Sequence, residues 1–67
     1  MSVKNELKVY RAKHDLTQEE LAIEMGVSCQ TINSIGTGKY NPSLELALKL
    51  ADHFGVSIEE IFWLTDR

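Results

Sequence analysis

The chain has little of what staples a small protein or carries it through a membrane. Among its 67 residues there is one cysteine, Cys29, and one proline, Pro42. A lone thiol forms no internal disulfide, and His14 and His53 stand too far apart to join it in a zinc-finger spacing. A disulfide framework and a structural zinc site are thereby excluded, and the sequence calls for no metal and no cofactor. No apolar run approaches the ~20 residues of a membrane span, and the N-terminus has no secretory apolar region. The expected compartment is the reducing cytoplasm, with no membrane partner. Cations are also scarce: seven Lys and Arg face ten Asp and Glu, a net charge of −3. Taken as a total, that balance argues against a polyanionic partner.

The remaining composition is that of a globular domain. Apolar residues make up 43% and charged residues 25%, which excludes a disordered polyelectrolyte. The length predicts a single domain over residues 1–67. A chain this short buries only ~60% of its unfolded surface, so its stability is modest or shared with a second subunit.

The charge is segregated. Residues 1–13 carry Lys4, Lys8, Arg11 and Lys13 against Glu6, whereas residues 14–24 carry Asp15, Glu19, Glu20 and Glu24 and no cation. From Met25 to Leu44 there is no carboxylate at all, and Lys39 is the one charge. A surface built from that stretch can approach a polyanion without like-charge repulsion, whatever the total.

The hydrophobic period is helical throughout, and no stretch alternates long enough to predict a pair of strands. Five helices are expected, over residues 3–14, 17–25, 28–35, 43–54 and 57–64. Thr17-Gln18-Glu19-Glu20 and Ser57-Ile58-Glu59-Glu60 are capping boxes, in which the hydroxyl accepts from the third amide and the Glu reaches back. Ser28 is the expected N-cap of the third helix. Gly26 and Gly55 supply left-handed stops, and Asp15 stands at a similar position after the first helix. Leu21, Ala22 and Met25 point inward from the second helix and Ile32 and Ile35 from the third. The fourth helix, with Leu44, Leu46, Ala47, Leu48, Leu50 and Ala51, is apolar round most of its circumference and is expected to be the buried centre.

Met25-Gly26-Val27-Ser28 is a short glycine-containing turn between two short helices, the spacing of a helix-turn-helix unit. The second helix of such a unit docks in the major groove. Here its outward face is Cys29, Gln30, Thr31, Asn33 and Ser34, short polar side chains without charge. Gln can pair bidentately with adenine, and hydroxyls can donate or accept.

From about Asn5 to Leu64 the chain resembles the Cro/C1-type (XRE) helix-turn-helix family. The residues that carry the resemblance are Leu7-x-x-Tyr10-Arg11, Leu16-Thr17-Gln18-Glu19-Glu20-Leu21-Ala22, Gly26-Val27-Ser28, Gln30-Thr31-Ile32-Asn33, Gly38-Lys39-Tyr40-Asn41-Pro42-Ser43-Leu44 and Phe54 to Phe62. The chain is most similar to small members that consist of the DNA-binding domain alone. The resemblance implies an all-α, lambda-repressor-like five-helix bundle. It implies base-reading positions at Cys29, Gln30 and Ser34. It places backbone or flanking contacts at Gln18, Ser28, Thr31, Asn33, Thr37, Lys39, Tyr40 and Asn41. Such contacts position the domain and carry no sequence information of their own.

Two positions depart from the family pattern. Cys29 stands where Arg or Gln is common, and a thiol is a weak partner, so direct readout there is expected to be poor. A small-residue contact is the favoured reading of this thiol over a redox or metal switch. Gly36 stands where Glu commonly pairs with the arginine of the first helix, here Arg11. Arg11 is therefore expected to turn to solvent or to find another carboxylate, Glu20 being the candidate.

The function expected is sequence-specific binding of double-stranded DNA in transcription regulation, by a homodimer on a near-palindromic operator. Phe62, Trp63 and Leu64 are three consecutive large apolar residues that one helix cannot turn into one core, and they are the expected dimer surface. The alternative is a protein-interaction module, antitoxin- or adaptor-like, with weak or lost DNA binding. An enzyme is not expected. No phosphate-binding Gly loop or nucleophile set is present, no small-molecule effector site is evident, and Glu19-Glu20 and Glu59-Glu60 are accounted for by helix N-termini, where the dipole favours negative charge.

Overall fold

The computed structural model describes residues 2–65. Five helices follow one strand and precede another: β1 (Ser2–Asn5), α1 (Leu7–Lys13), α2 (Gln18–Met25), α3 (Cys29–Gly36), α4 (Leu44–Phe54), α5 (Ile58–Ile61) and β2 (Phe62–Thr65). The helix punctuation is that of the sequence. Glu20 N–H donates to Thr17 Oγ1 at 3.1 Å and Thr17 N–H donates to Glu20 Oε1 at 2.9 Å, a complete capping box. Ser57 N–H donates to Glu60 Oε2 at 2.8 Å. Asp15 takes the left-handed conformation after α1, at φ 55°.

The two ends of the expected helices are not helical. Residues 3–5 and 62–64, expected in the first and fifth helices, are extended and with Ser2 and Thr65 pair as an antiparallel two-stranded sheet, with Ser2 opposite Thr65, Val3 opposite Leu64, Lys4 opposite Trp63 and Asn5 opposite Phe62. The reason lies in Phe62-Trp63-Leu64-Thr65. A helix would aim its large side chains in three directions. An extended strand sorts them onto two faces, and aromatic and β-branched residues favour that state. Phe62 and Leu64 share a face with Val3 and Asn5, and Trp63 shares the other with Lys4. Glu6 N–H donates to Ile61 O at 2.9 Å and carries the ladder to the start of α1.

The core is built by Leu7, Leu21, Ile32, Ile35, Leu50 and Ile61, all fully buried, one or more from every helix. Each contributes about 1.5–3 kcal/mol relative to an exposed side chain. Tyr10, Leu16, Val27, Val56, Ile58 and Phe62 pack around it. The expectation for α4 is met by Leu46, Ala47, Leu50 and Ala51, with Phe54, which form one buried stripe. It fails for Leu44 and Leu48, which are 72% and 51% exposed. They lie one turn apart on the side of α4 away from its buried stripe, where no other described element packs.

Arg11 has neither of its expected partners. It is half-buried, and its Nη1 donates to the carbonyl of Leu16 at 3.0 Å, across the corner between α1 and α2. Glu20 is occupied at its own cap. A backbone carbonyl thus holds the Arg11 side chain across the α1–α2 corner, and no ion pair joins Arg11 to α3 among the described residues.

Gly36 ends α3 with an ordinary helical backbone, and a Cβ added there would meet Lys8 Cγ at 3.5 Å and Cε at 3.6 Å, normal contact distances. Space for a side chain therefore exists. Gly36→Ala is expected to stabilise the fold by up to about 1 kcal/mol through helix propensity. Gly36→Glu is expected to stabilise it at least as much, because the new carboxylate would enter beside Lys8 and Arg11. Thermal melting of the two variants checks this, and a Tm at or below that of the parent for both would contradict it.

Hydrogen bonds from the Thr17 amide and hydroxyl hold the Glu20 carboxyl below its ordinary value of 4.5. A lowered folded-state value means that this contribution is complete above pH 4.5 and is lost as pH falls through the folded value. Tm is expected to decline on acidification below that point, and Glu20→Gln is expected to decline less steeply. Parallel curves for parent and variant would show that the cap carries none of the acid sensitivity.

Candidate nucleic-acid interface

The placement of α3 begins at the turn before it. Gly26 has φ 73°, a left-handed conformation that side chains resist, and it lets the chain reverse directly after α2. Val27 N–H returns to Ala22 O at 3.0 Å, and Val27 packs on the core. Ser28 then caps α3, accepting from Thr31 N–H at 3.1 Å, with the two hydroxyls hydrogen-bonded to each other at 2.9 Å. Ile32 and Ile35 are buried and fix the rotation of the helix. Cys29, Gln30 and Asn33 are consequently exposed, with Thr31 and Ser34 half-exposed beside them.

Eight of the expected DNA-contact residues fall into three groups. Ser28, Gln30, Thr31, Ser34 and Tyr40 line one open depression along the outer face of α3. Gln18 and Asn33 meet on another side of the helix, in a narrow crevice with Leu7, Lys8, Arg11, Ile32 and Gly36. Cys29 belongs to a third depression, shared with Gln18 and Arg11 but also with Asp15 and Glu19. Of the three expected base-reading positions, Cys29 is thus the one whose depression is also lined by acidic residues.

The loop after α3 is wound onto one atom. The carbonyl of Ser34 accepts from Thr37 Oγ1 at 3.2 Å, Lys39 N–H at 2.9 Å and Tyr40 N–H at 3.2 Å. This fixes the loop against the helix and also limits it. A hydroxyl has one hydrogen to give, and that of Thr37 is already engaged, as are the amides of Thr37, Lys39 and Tyr40. The donors left to face an anion from this loop are the exposed side chains of Lys39, Tyr40 and Asn41, together with the Asn41 N–H, which has no acceptor among the described residues.

One positioning residue escaped the sequence reading. Asn5 Nδ2 donates to Ile35 O at 2.9 Å, while its Oδ1 accepts from Leu7 N–H at 3.1 Å. One side chain thereby caps α1 and holds the last turn of α3 to β1. The half of this that is local, an Asn two residues before a helix, was readable in the sequence. The bond to Ile35, thirty residues away, was not. Among the described residues no group of His, Cys, Asp and Glu is arranged to hold a metal ion. No helix of the described residues is long and apolar enough to cross a membrane.

Known proteins place this arrangement in a family. The helix-turn-helix family model matches residues 7–61, from the start of α1 to the end of α5. An uncharacterized HTH-type transcriptional regulator of Methanocaldococcus jannaschii is 61% identical over 64 residues, covering 96% of this chain and 97% of that protein. Among solved structures, a Bacteroides fragilis protein superimposes with a TM-score of 0.82 at 31% identity, over 91% of this chain and 98% of the other. The restriction-modification controller protein C.AhdI of Aeromonas hydrophila superimposes with a TM-score of 0.73, also at 31% identity, over 81% of this chain and 82% of the other. The chain belongs to the Cro/C1-type helix-turn-helix family of transcriptional regulators.

Proposed function

We propose that this regulator reads a specific double-stranded DNA operator with α3 in the major groove, and that it does so as a homodimer on a near-palindromic site. The observation that carries the reading is the outer face of α3. Gln30, Thr31 and Ser34 stand together with Ser28 and Tyr40 on a surface whose stretch of chain, from Met25 to Leu44, has no carboxylate. Gln30 and Ser34 are assigned to base edges, with Cys29 as a weaker contact suited to a thymine methyl. Gln18, Ser28, Thr31, Asn33, Lys39, Tyr40 and Asn41 are assigned to the backbone or to flanking contacts. Thr37 is retained in that group only as an acceptor-side or packing residue, because its hydrogen is engaged by Ser34. The reading requires no cofactor, and it places the protein in the cytoplasm, with the DNA it would bind.

The dimer rests on β2. Trp63 and Leu64 are 40% and 65% exposed in the single chain, on opposite faces of the small sheet. Phe62 is half-buried and packs against the core, and Trp63 shares its face with Lys4, so the proposed interface centres on Leu64, on the opposite face. One domain offers one reading helix. A two-fold axis doubles the contacts and sets two half-sites about one helical turn apart.

Selection from a random duplex library, followed by sequencing, is expected to return a site with two-fold symmetry. On that site Gln30→Ala is expected to cost about 1–3 kcal/mol and to relax the preference at its base pair. No enrichment, and no duplex binding even at low salt, would favour the protein-interaction alternative. In sedimentation at micromolar concentration the parent is expected to run as a dimer and Leu64→Glu as a monomer. A monomeric parent would defeat the two-fold model.

A further inference from the structure

The chain carries seven Lys and Arg. A duplex is a polyanion, so the surface on which these cations are free to act decides how it is approached. Arg67 lies outside the described residues. Arg11 is half-buried and donates to Leu16 O. Lys13 sits over the ring of Tyr10, 5.1 Å from its centroid. Lys49 pairs with Glu45 at 4.0 Å. That leaves Lys4, Lys8 and Lys39, all exposed and with no ion-pair partner among the described residues.

Lys39 belongs to the loop after α3. The positions of the other two were not expected. Lys8 lies against the end of α3, its stem beside Gly36, and it lines the crevice that also holds Gln18 and Asn33. Lys4 stands on β1, and β1 lines a depression with Gly36, Thr37 and Gly38. The strand and the first turn of α1 therefore extend the surface of α3 at its C-terminal end. Asn5, between the two lysines, ties that segment to α3 through Ile35 O. Gly36 offers Lys8 no carboxylate, and the one acid of the segment, Glu6, forms no ion pair among the described residues.

We propose that β1 and the start of α1 form a phosphate clamp, in which Lys4 and Lys8 bind the DNA backbone beside the C-terminal end of α3. This inference rests on the duplex-binding reading above and adds to it a second anchoring element. In a chain of net charge −3, the clamp supplies two of the three cations that, among the described residues, are exposed and engaged by neither an acid nor a ring. It carries no sequence preference, because a lysine held at a phosphate reads charge and not base identity.

The test is binding of the full chain to a short random-sequence duplex over a range of salt. The double variant Lys4→Gln/Lys8→Gln is expected to bind more weakly, with the slope of log K against log salt shallower by about 0.9 for each lysine removed. Lys4→Arg/Lys8→Arg keeps the charge and is expected to keep the parental slope. Lys49→Gln, on α4 and away from these residues, is expected to leave the slope unchanged. Both lysines are exposed, and an unaltered Tm verifies that the variants fold. A parent that binds duplex with a slope the Gln variant shares overturns the clamp alone. A parent that binds no duplex at low salt overturns both the clamp and the DNA-binding reading.

Discussion

Everything at this surface depends on holding α3 still. A helix of eight residues is not stable alone in water, because the cost of its first turn is spread over too few hydrogen bonds. The rest of the molecule supplies what the helix lacks. Ile32 and Ile35 bury one side of it in the core, and Ser28 closes its N-terminus. At the other end Asn5 takes the carbonyl of Ile35, and the following loop closes on the carbonyl of Ser34. Both ends and the inner face are thus fixed, and only the outer polar face remains free. A reading helix needs that condition, since a shift of one position would exchange the residues presented to the groove.

The same demand accounts for the strand pair. β1 and β2 bring residues 2–5 and 62–65 together, and their pairing delivers Asn5 to α3 and seats Phe62 on the core. The sheet has four residues in each strand and would not be stable by itself. It persists because each strand is attached to a packed helix, β1 leading into α1 and β2 continuing from α5. Its cost is an exposed Trp63 on one face and an exposed Leu64 on the other, where a second copy is proposed to sit.

Much of this was legible in the residue order. The capping boxes at Thr17 and Ser57, the left-handed Gly26 and Gly55, and the buried Leu21, Ile32 and Ile35 follow from local chemistry, and local chemistry is what a sequence displays. So does the polar face of α3, which is fixed once Ile32 and Ile35 are assigned inward. The sheet was not legible, because Ser2–Asn5 is too short for its alternation to stand out and its partner lies at the far end of the chain. Leu44 and Leu48 were misplaced because an apolar side chain shows its preference for burial but not whether a neighbour exists to bury it. Arg11 on Leu16 O and Asn5 on Ile35 O were hidden for a related reason: a backbone carbonyl is offered by every residue, so no sequence pattern marks the one that is used.

The acidity that seemed to speak against nucleic acid becomes a matter of placement. Glu19, Glu20 and Glu24 lie on α2 and Glu59 and Glu60 on α5, while α3 and its loop hold none. On the proposed reading, this uncharged helix and its flanks form the DNA-facing surface. The most direct measurement is residue-resolved NMR on the labelled chain, titrated with a duplex taken from the library selection. Shifts are expected to concentrate on residues 28–41, with Gln18, Lys4 and Lys8, and to spare the outer face of α4 around Leu44 and Leu48. Shifts centred on α4, or spread evenly over the chain with α3 unaffected, would contradict that reading.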